Sequence, residues 1–92
     1  MAFTREERLR RARVAIREEI DELGLSVRAY NCLMNARVMT VAELVKRSEG
    51  ELLGFVGLGE DTLADIKKKL ARVGLKLNMT TDGVIALLRP ST

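Results

Sequence analysis

The protein has 92 residues, of which 47% are hydrophobic and 32% are charged, a composition typical of one small folded domain rather than a disordered tail. It lacks histidine and has a single cysteine, Cys32, which excludes an internal disulfide, a Ser-His-Asp triad, a Cys-His pair and an ordinary zinc site. Most hydrolase chemistry is thereby excluded, and we expect no catalytic residue, no metal site and no cofactor. With no apolar run of about 18 residues and no signal-peptide pattern, the expected location is the cytoplasm.

The 16 basic and 13 acidic side chains leave a net charge of +3, which is less informative than its distribution. Two stretches of the sequence are strongly basic, and a nucleic-acid partner is one explanation of them. The other is a pair of solvated helix faces laced with opposite charges, and charge alone favours that one. The basic residues are Arg5, Arg8, Arg10, Arg11, Arg13 and Arg17 in the first stretch and Lys67, Lys68, Lys69, Arg72 and Lys76 in the second.

The first predicted element is a basic amphipathic helix within residues 1–24, running from about Thr4 to Leu23 and stopped by Gly24. Its apolar stripe must be buried either on the core of the same molecule or against a second copy. We accordingly expect a monomer or a homodimer formed through this helix. The stripe comprises Leu9, Ala12, Ile16, Ile20 and Leu23.

Helix starts are predicted by three Ser/Thr-x-x-Glu strings, in which the hydroxyl accepts the amide three residues on and the glutamate reaches back to the cap amide. Ser26 is a further predicted cap. Four helices are therefore predicted to start before residue 55. The three strings join Thr4 to Glu7, Thr40 to Glu43, and Ser48 to Glu51.

A longer helix is expected after Gly57-Leu58-Gly59 and ends at Gly74, a left-handed cap beyond which Leu75 folds back. In the C-terminal extension, residues 80–92, a sixth short helix is expected to pack on the first, between the weak cap Thr81-Asp82 and the terminator Pro90. No segment alternates like a strand. The predicted fold is all-α, a compact bundle of five or six short helices.

The Gly57-Leu58-Gly59 turn is the most informative local feature. Flanking glycines allow a tight turn, and the helix that follows offers unpaired amides and the positive end of its dipole to a phosphate. This is the pattern of a helix-hairpin-helix, an element that binds the DNA backbone. A plain tight turn is the alternative, because Glu60 and Asp61 stand where the phosphate would dock.

A second candidate site is formed by Arg28, Asn31 and Cys32, whose spacings of three and four place them on one face of a helix. An arginine here could enter a narrow minor groove while the asparagine bonds a backbone or base edge. The pattern alone favours a simpler interpretation, with Arg28 paired to a nearby acid and Cys32 acting as a small buried hydrophobe.

Three segments together resemble the C-terminal domain of the bacterial RNA polymerase α subunit. The likeness covers residues 21–79 without an obvious gap, whereas the first twenty residues and the last dozen have no recognisable counterpart. Since no assembly domain of an α subunit precedes it, we expect an excised piece or a free-standing relative. The segments are Glu22–Leu33 with its Ser-Val-Arg-x-x-Asn-Cys-Leu string, Ala42–Glu49, and Gly57-Leu58-Gly59 followed by Thr62–Lys67.

The resemblance implies a non-catalytic module that reads A·T-rich upstream promoter DNA through the minor groove. It also implies protein-contact surfaces for transcription activators and for a sigma factor of RNA polymerase. By this likeness Arg28 and Asn31 are the main DNA contacts, Cys32 lies beside them, Gly59 and Thr62 approach phosphates, and Asp65 supports the arginine. The activator surface falls on Ser48, Glu49, Gly50 and Glu51, and the sigma-facing surface on Asp21 and Glu22.

Several departures from the family pattern leave a second function open. Glu60 and Asp61 replace two lysines of better-known members, which should weaken phosphate binding and flatten its salt dependence. Gly24 stands where an acid often occurs, and Gly50 removes a side chain from the activator surface. The alternative is a module of the same fold that binds polymerase, a sigma factor or a regulator and has little affinity for DNA.

Overall fold

The computed structural model describes residues 4–89, and within that range the protein is helical. The predicted all-α bundle is confirmed. Besides the six α-helices and one 3-10 helix, the described residues contain a single isolated bridge between Glu19 and Thr40. The elements are α1 (Arg5–Ala15), the 3-10 helix Ile20–Leu23, α2 (Val27–Asn35), α3 (Val41–Val45), α4 (Glu49–Leu53), α5 (Glu60–Arg72) and α6 (Thr81–Leu88).

The first helix is shorter than predicted. We expected one helix from Thr4 to Leu23, but α1 ends at Ala15 and the backbone resumes as the 3-10 helix. The break arises from a long-range pairing: the Ile20 amide donates to the Met39 carbonyl at 3.0 Å, and the Val41 amide donates to the Glu18 carbonyl at 3.0 Å. These bonds pull the backbone out of the helical path, so Gly24, with φ of 72°, ends the 3-10 helix instead of a long α-helix.

Only one of the three predicted capping boxes is complete. At α4 the Ser48 hydroxyl accepts from the Glu51 amide, and the Glu51 carboxylate accepts from the Ser48 amide. At α1 and α3 the threonine accepts from the expected amide, but the glutamate accepts the threonine hydroxyl proton instead of the cap amide. Helices α1 to α4 therefore have the predicted N-caps, and α5 begins after Gly59 as expected. The N-cap of α6 is Thr80, one residue before the predicted cap.

Helix α5 is the centre of the bundle, with α2 and α4 packed against it. Its side chains Leu63, Ile66 and Leu70 are buried together with residues from every other helix. The helix ends as predicted at Gly74, where φ is 77° and the Leu75 amide donates to the Leu70 carbonyl at 2.9 Å. Leu75 itself is buried, so the backbone folds back onto the last turn of the helix.

Helix α1 rests on the end of α5 through small residues. Its buried residues are Ala12 and Ala15, while Leu9, expected in the apolar stripe, is 46% exposed. The approach is so close that a Cβ atom built on Gly74 would lie 2.8 Å from the Arg8 carbonyl oxygen. Gly74 is therefore required both by its backbone angle and by the absence of a side chain.

Helix α6 packs on α1, as the sequence predicted, and two arginines of the first basic stretch bond its C-terminal end. The Arg13 guanidinium donates to the Arg89 carbonyl at 2.8 Å, and the Arg17 guanidinium donates to the Leu88 carbonyl at 2.5 Å. Such bonds satisfy carbonyls that have no partner within a helix. The predicted terminator Pro90 lies outside the described residues. None of the described helices is long and apolar enough to span a membrane.

We predict that Gly74→Ala lowers the free energy of unfolding by more than Gly24→Ala does. Both glycines have a positive φ, but a Cβ at Gly24 meets nothing within 4 Å, whereas one at Gly74 meets the backbone of Arg8. The strained angle costs about 1 kcal/mol at either site, and the clash adds on the order of 1–2 kcal/mol at Gly74 alone. Urea unfolding of the two variants measures the difference, and equal losses would contradict the close approach of α1.

Candidate nucleic-acid interface

The candidate site begins at the start of α2. The Ser26 hydroxyl caps this helix by accepting from the Ala29 amide at 3.2 Å, which fixes the first turn that carries Arg28. Arg28 and Asn31 are exposed, less than one helical turn apart, on the same side of α2. Within residues 4–89 Arg28 makes no hydrogen bond or ion pair, so its guanidinium is available to a ligand.

Cys32 does not project with Arg28 and Asn31, because its side chain is buried, with 7% of the residue's surface exposed. It lies under the glycine turn, and a Cβ on Gly57 would be 3.5 Å from the Cys32 sulfur. Gly57 has φ of 82°, and Leu58 is buried in the core. The Cys32 side chain therefore packs beneath the turn at Gly57. It supports the site from inside the bundle and does not belong to its exposed surface.

The start of α5 is open. The helix has no side-chain cap at Gly59, and a Cβ there would meet nothing within 4 Å. The first amides of α5 therefore have no side-chain cap, and they lie next to the exposed residues Glu60 and Asp61. Thr62, which the resemblance places near a phosphate, is largely buried, with 6% of its surface accessible.

Asp65 connects the two halves of the site. Its carboxylate accepts from the Ser26 amide at 3.1 Å and from the Lys69 ammonium at 3.0 Å. The bond to the Ser26 amide, helped by the Lys69 charge and opposed by partial burial, holds the pKa of Asp65 below its ordinary value of 3.8. The resemblance implies that Asp65 supports Arg28, and in the structure its bond reaches the cap of α2, two residues before the arginine.

The residues expected to contact proteins lie on two separate elements. Ser48–Glu51 form the first turn of α4, where Glu49 pairs with Lys67 of α5 at 3.1 Å. Glu51 pairs with Arg47 at 3.4 Å, and the bond from the Ser48 amide, followed by the contacts with Arg47, lowers the pKa of Glu51. Asp21 and Glu22 are exposed on the 3-10 helix.

The structure thus joins the two helices, α2 and α5, on which the sequence placed the candidate site residues. It also adds two residues, Ser26 and Lys69, to the candidate site. Ser26 was predicted only as a cap, but its amide is also the donor to Asp65. The i,i+4 spacing of Asp65 and Lys69 is a visible signal for their ion pair. The Ser26–Asp65 bond joins residues far apart in sequence, and no local sequence pattern predicts it.

Most of the protein matches a known family. The family model for the C-terminal domain of the bacterial RNA polymerase alpha chain matches residues 6–72. The protein belongs to this family. The matched range begins before residue 21 and takes in all of α1 except its first residue.

Two relatives agree with this membership. The protein is 46% identical over 82 residues to the DNA-directed RNA polymerase subunit alpha of Geobacter metallireducens, a match that spans 89% of this chain and 24% of that protein. To the same subunit of Symbiobacterium thermophilum it is 46% identical over 63 residues, spanning 68% and 20%. The sequence therefore spans about a quarter or less of the length of these relatives.

A solved structure agrees as well, the NMR structure of the C-terminal domain of the RNA polymerase alpha subunit from Helicobacter pylori. It matches with a TM-score of 0.69 and 28% sequence identity, over 83% of this chain and 68% of that one. The bundle of short helices around α5 is thus the fold of this family.

Replacing Asp65 by asparagine should destabilise the protein in a pH-dependent way. Because folding lowers the pKa of this carboxyl, its contribution is present above about pH 4 and is lost as the pH falls through the lower folded pKa. At pH 7 we expect Asp65→Asn to lower the free energy of unfolding by about 1–2 kcal/mol, as for a charged hydrogen bond.

The measurement is urea unfolding of the parent protein and Asp65→Asn between pH 7 and pH 2. The gap between the two should close at low pH. Asp21→Asn is the control, since Asp21 is exposed and makes no bond to another described residue. A gap that stays constant over the whole pH range would show that the Asp65 charge contributes nothing.

Proposed function

We propose that the protein is a non-catalytic, DNA-binding transcription module that acts with RNA polymerase in the bacterial cytoplasm and contacts A·T-rich upstream promoter DNA through the minor groove. The observation that carries the proposal is Arg28, which is exposed and without a partner among the described residues. It lies at the start of a helix that is bonded to the middle of α5, whose own start has no side-chain cap. Membership of the alpha C-terminal domain family supports it.

The chemistry of each group fits a distinct part of a duplex. The Arg28 guanidinium enters a narrow A·T-rich minor groove, where the negative potential is strongest. Asn31, almost one turn further along α2, donates to a backbone or base-edge acceptor. The amides that follow Gly59 receive a phosphate of the adjacent backbone. Thr62 and Cys32, both largely buried, hold these groups in place from within the bundle.

Asp65 contributes by fixing the spacing between the two contact regions. Its bond to the Ser26 amide ties the first turn of α2 to the middle of α5. The distance between Arg28 and the amides that follow Gly59 is thereby fixed. A binding site that is already ordered loses less conformational entropy when DNA binds.

Affinity for DNA is expected to be low. Glu60 and Asp61 are exposed in the first turn of α5, where they complement the helix dipole but repel a phosphate. These carboxylates also favour the second candidate function, a module that binds proteins and hardly binds DNA. In either case, the first turn of α4 at Ser48–Glu51 is proposed to contact regulators, and Asp21 with Glu22 a sigma factor.

The deciding experiment compares an A-tract duplex with a G·C-rich duplex across a salt series, using the whole protein. We expect weak binding that favours the A-tract, and we expect Arg28→Ala to abolish the preference, since such contacts are worth roughly 1–3 kcal/mol. Lys46→Ala is the charge-matched control, because Lys46 is exposed at the end of a different helix. Equal affinity for the two duplexes, or an Arg28→Ala variant that binds like the control, would reject minor-groove recognition.

The double variant Glu60→Gln/Asp61→Asn tests the role of the two acids. Removing two negative charges next to the phosphate should raise affinity for the A-tract about three- to tenfold at low ionic strength, and the gain should shrink as salt screens the site. Fluorescence anisotropy at about 50 mM and about 300 mM salt measures both values. Unchanged affinity would mean that no phosphate docks at the start of α5.

A further inference from the structure

The two most exposed large apolar side chains within residues 4–89 lie at opposite ends of the candidate nucleic-acid interface. They are Val27, the first residue of α2, with 76% of its surface accessible, and Val56, in the turn before α5, with 92% accessible. A side chain that stays almost wholly in water contributes little to the stability of the fold. The core of the bundle therefore explains neither valine.

The exposed side of α2 connects the two valines. It carries Val27, Arg28, Asn31 and Asn35, which we call the α2 strip, and their spacing places them on one side of the helix. Val56 borders a cleft that Asn35 also lines. The nine residues of α2 measure roughly 12 Å from first to last, so the two valines stand at the two ends of this strip.

The α2 strip is polar between the valines. It offers the charge of Arg28 and the side-chain amides of Asn31 and Asn35, and α2 contains no acidic residue. Because these polar side chains lie between them, Val27 and Val56 do not merge into one apolar patch of the kind that a protein partner covers. Each valine is a single apolar contact at the edge of a polar surface.

A minor groove offers apolar surface at matching places. The groove of B-form DNA is about 6 Å wide, and the deoxyribose rings of the two strands form its walls. With an arginine inside the groove, a strip about 12 Å long reaches the sugars on both sides. Valine suits such a contact, because its β-branched side chain is stiff and loses little rotamer freedom when it is covered.

We propose that Val27 and Val56 are DNA contacts, whose methyl groups pack against deoxyribose on opposite walls of the minor groove. Val56, three residues before Gly59, packs on the strand whose phosphate the first α5 amides receive, and Val27 packs on the other strand. This inference rests on the minor-groove function proposed above and adds contacts that carry no charge. They supply affinity at an interface where Glu60 and Asp61 repel phosphate.

The first test measures the affinity of the whole protein for the A-tract duplex across a salt series. Val27→Ala and Val56→Ala should each weaken binding about three- to tenfold, because each removes methyl groups from a covered apolar contact. The slope of log affinity against log salt should stay that of the parent, since no phosphate contact is lost. Val14→Ala is the matched control and should bind like the parent, because Val14 is also exposed but lies on α1.

The second test observes the contacts directly. In the whole protein with ¹³C-labelled valine methyl groups, bound to the A-tract duplex, nuclear Overhauser effects should connect Val27 and Val56 to deoxyribose protons of different strands. Val14 should show none. Urea unfolding of the three alanine variants should give midpoints close to that of the parent, because all three side chains are exposed, so that a loss of DNA binding does not arise from unfolding.

The outcomes separate this inference from the function on which it rests. If the parent prefers the A-tract and Arg28→Ala loses that preference, but the Val27 and Val56 variants bind like Val14→Ala, the sugar contacts are overturned and the minor-groove function stands. A changed salt slope in either valine variant, or Overhauser effects from both valines to the same strand, would also overturn the contacts as proposed. Equal binding of the parent to the A-tract and G·C-rich duplexes would overturn both proposals.

Discussion

The bond between the Ser26 amide and the Asp65 carboxylate joins the start of one helix to the middle of another, and the geometry of the candidate nucleic-acid interface follows from it. Arg28 lies two residues beyond the amide, and the first turn of α5 lies one turn before the carboxylate. Lys69 compensates the charge that this arrangement places between the helices. Further along α2, Cys32 packs under Gly57 and fixes the intervening turn. The candidate interface is therefore held at two points.

Local chemistry made much of this architecture predictable. Hydroxyl caps marked the starts of α1 to α4, and Gly74 marked the end of α5, because these signals depend on neighbouring residues. The break in the first helix was not predictable in the same way. It depends on backbone bonds from residues 18–20 to residues 39–41, and the sequence between Thr4 and Leu23 shows helical periodicity with no proline.

The candidate site, like the fold, was predictable from the sequence only in part. Helical spacing was enough to place Arg28 and Asn31 on one exposed side of α2. It also grouped Cys32 with them, since spacing alone does not say where the boundary between core and solvent falls on a helix. That boundary is set by the glycine turn, which arrives from residue 57 and covers the thiol. Basic residues were likewise easy to find, but which of them bond within the bundle depends on the packing of α1 against α6, where Arg13 and Arg17 are held.

The bonds from Arg13 and Arg17 to the end of α6 have a practical consequence for where this domain can be cut. The stretch with the recognisable motifs, residues 21–79, omits both the arginines and the helix that they bond. A fragment with those limits would expose the surface at the end of α5 on which α1 rests, including Gly74, which lies against the backbone of Arg8. The two terminal helices pack on each other over this region, so both belong to the folded domain.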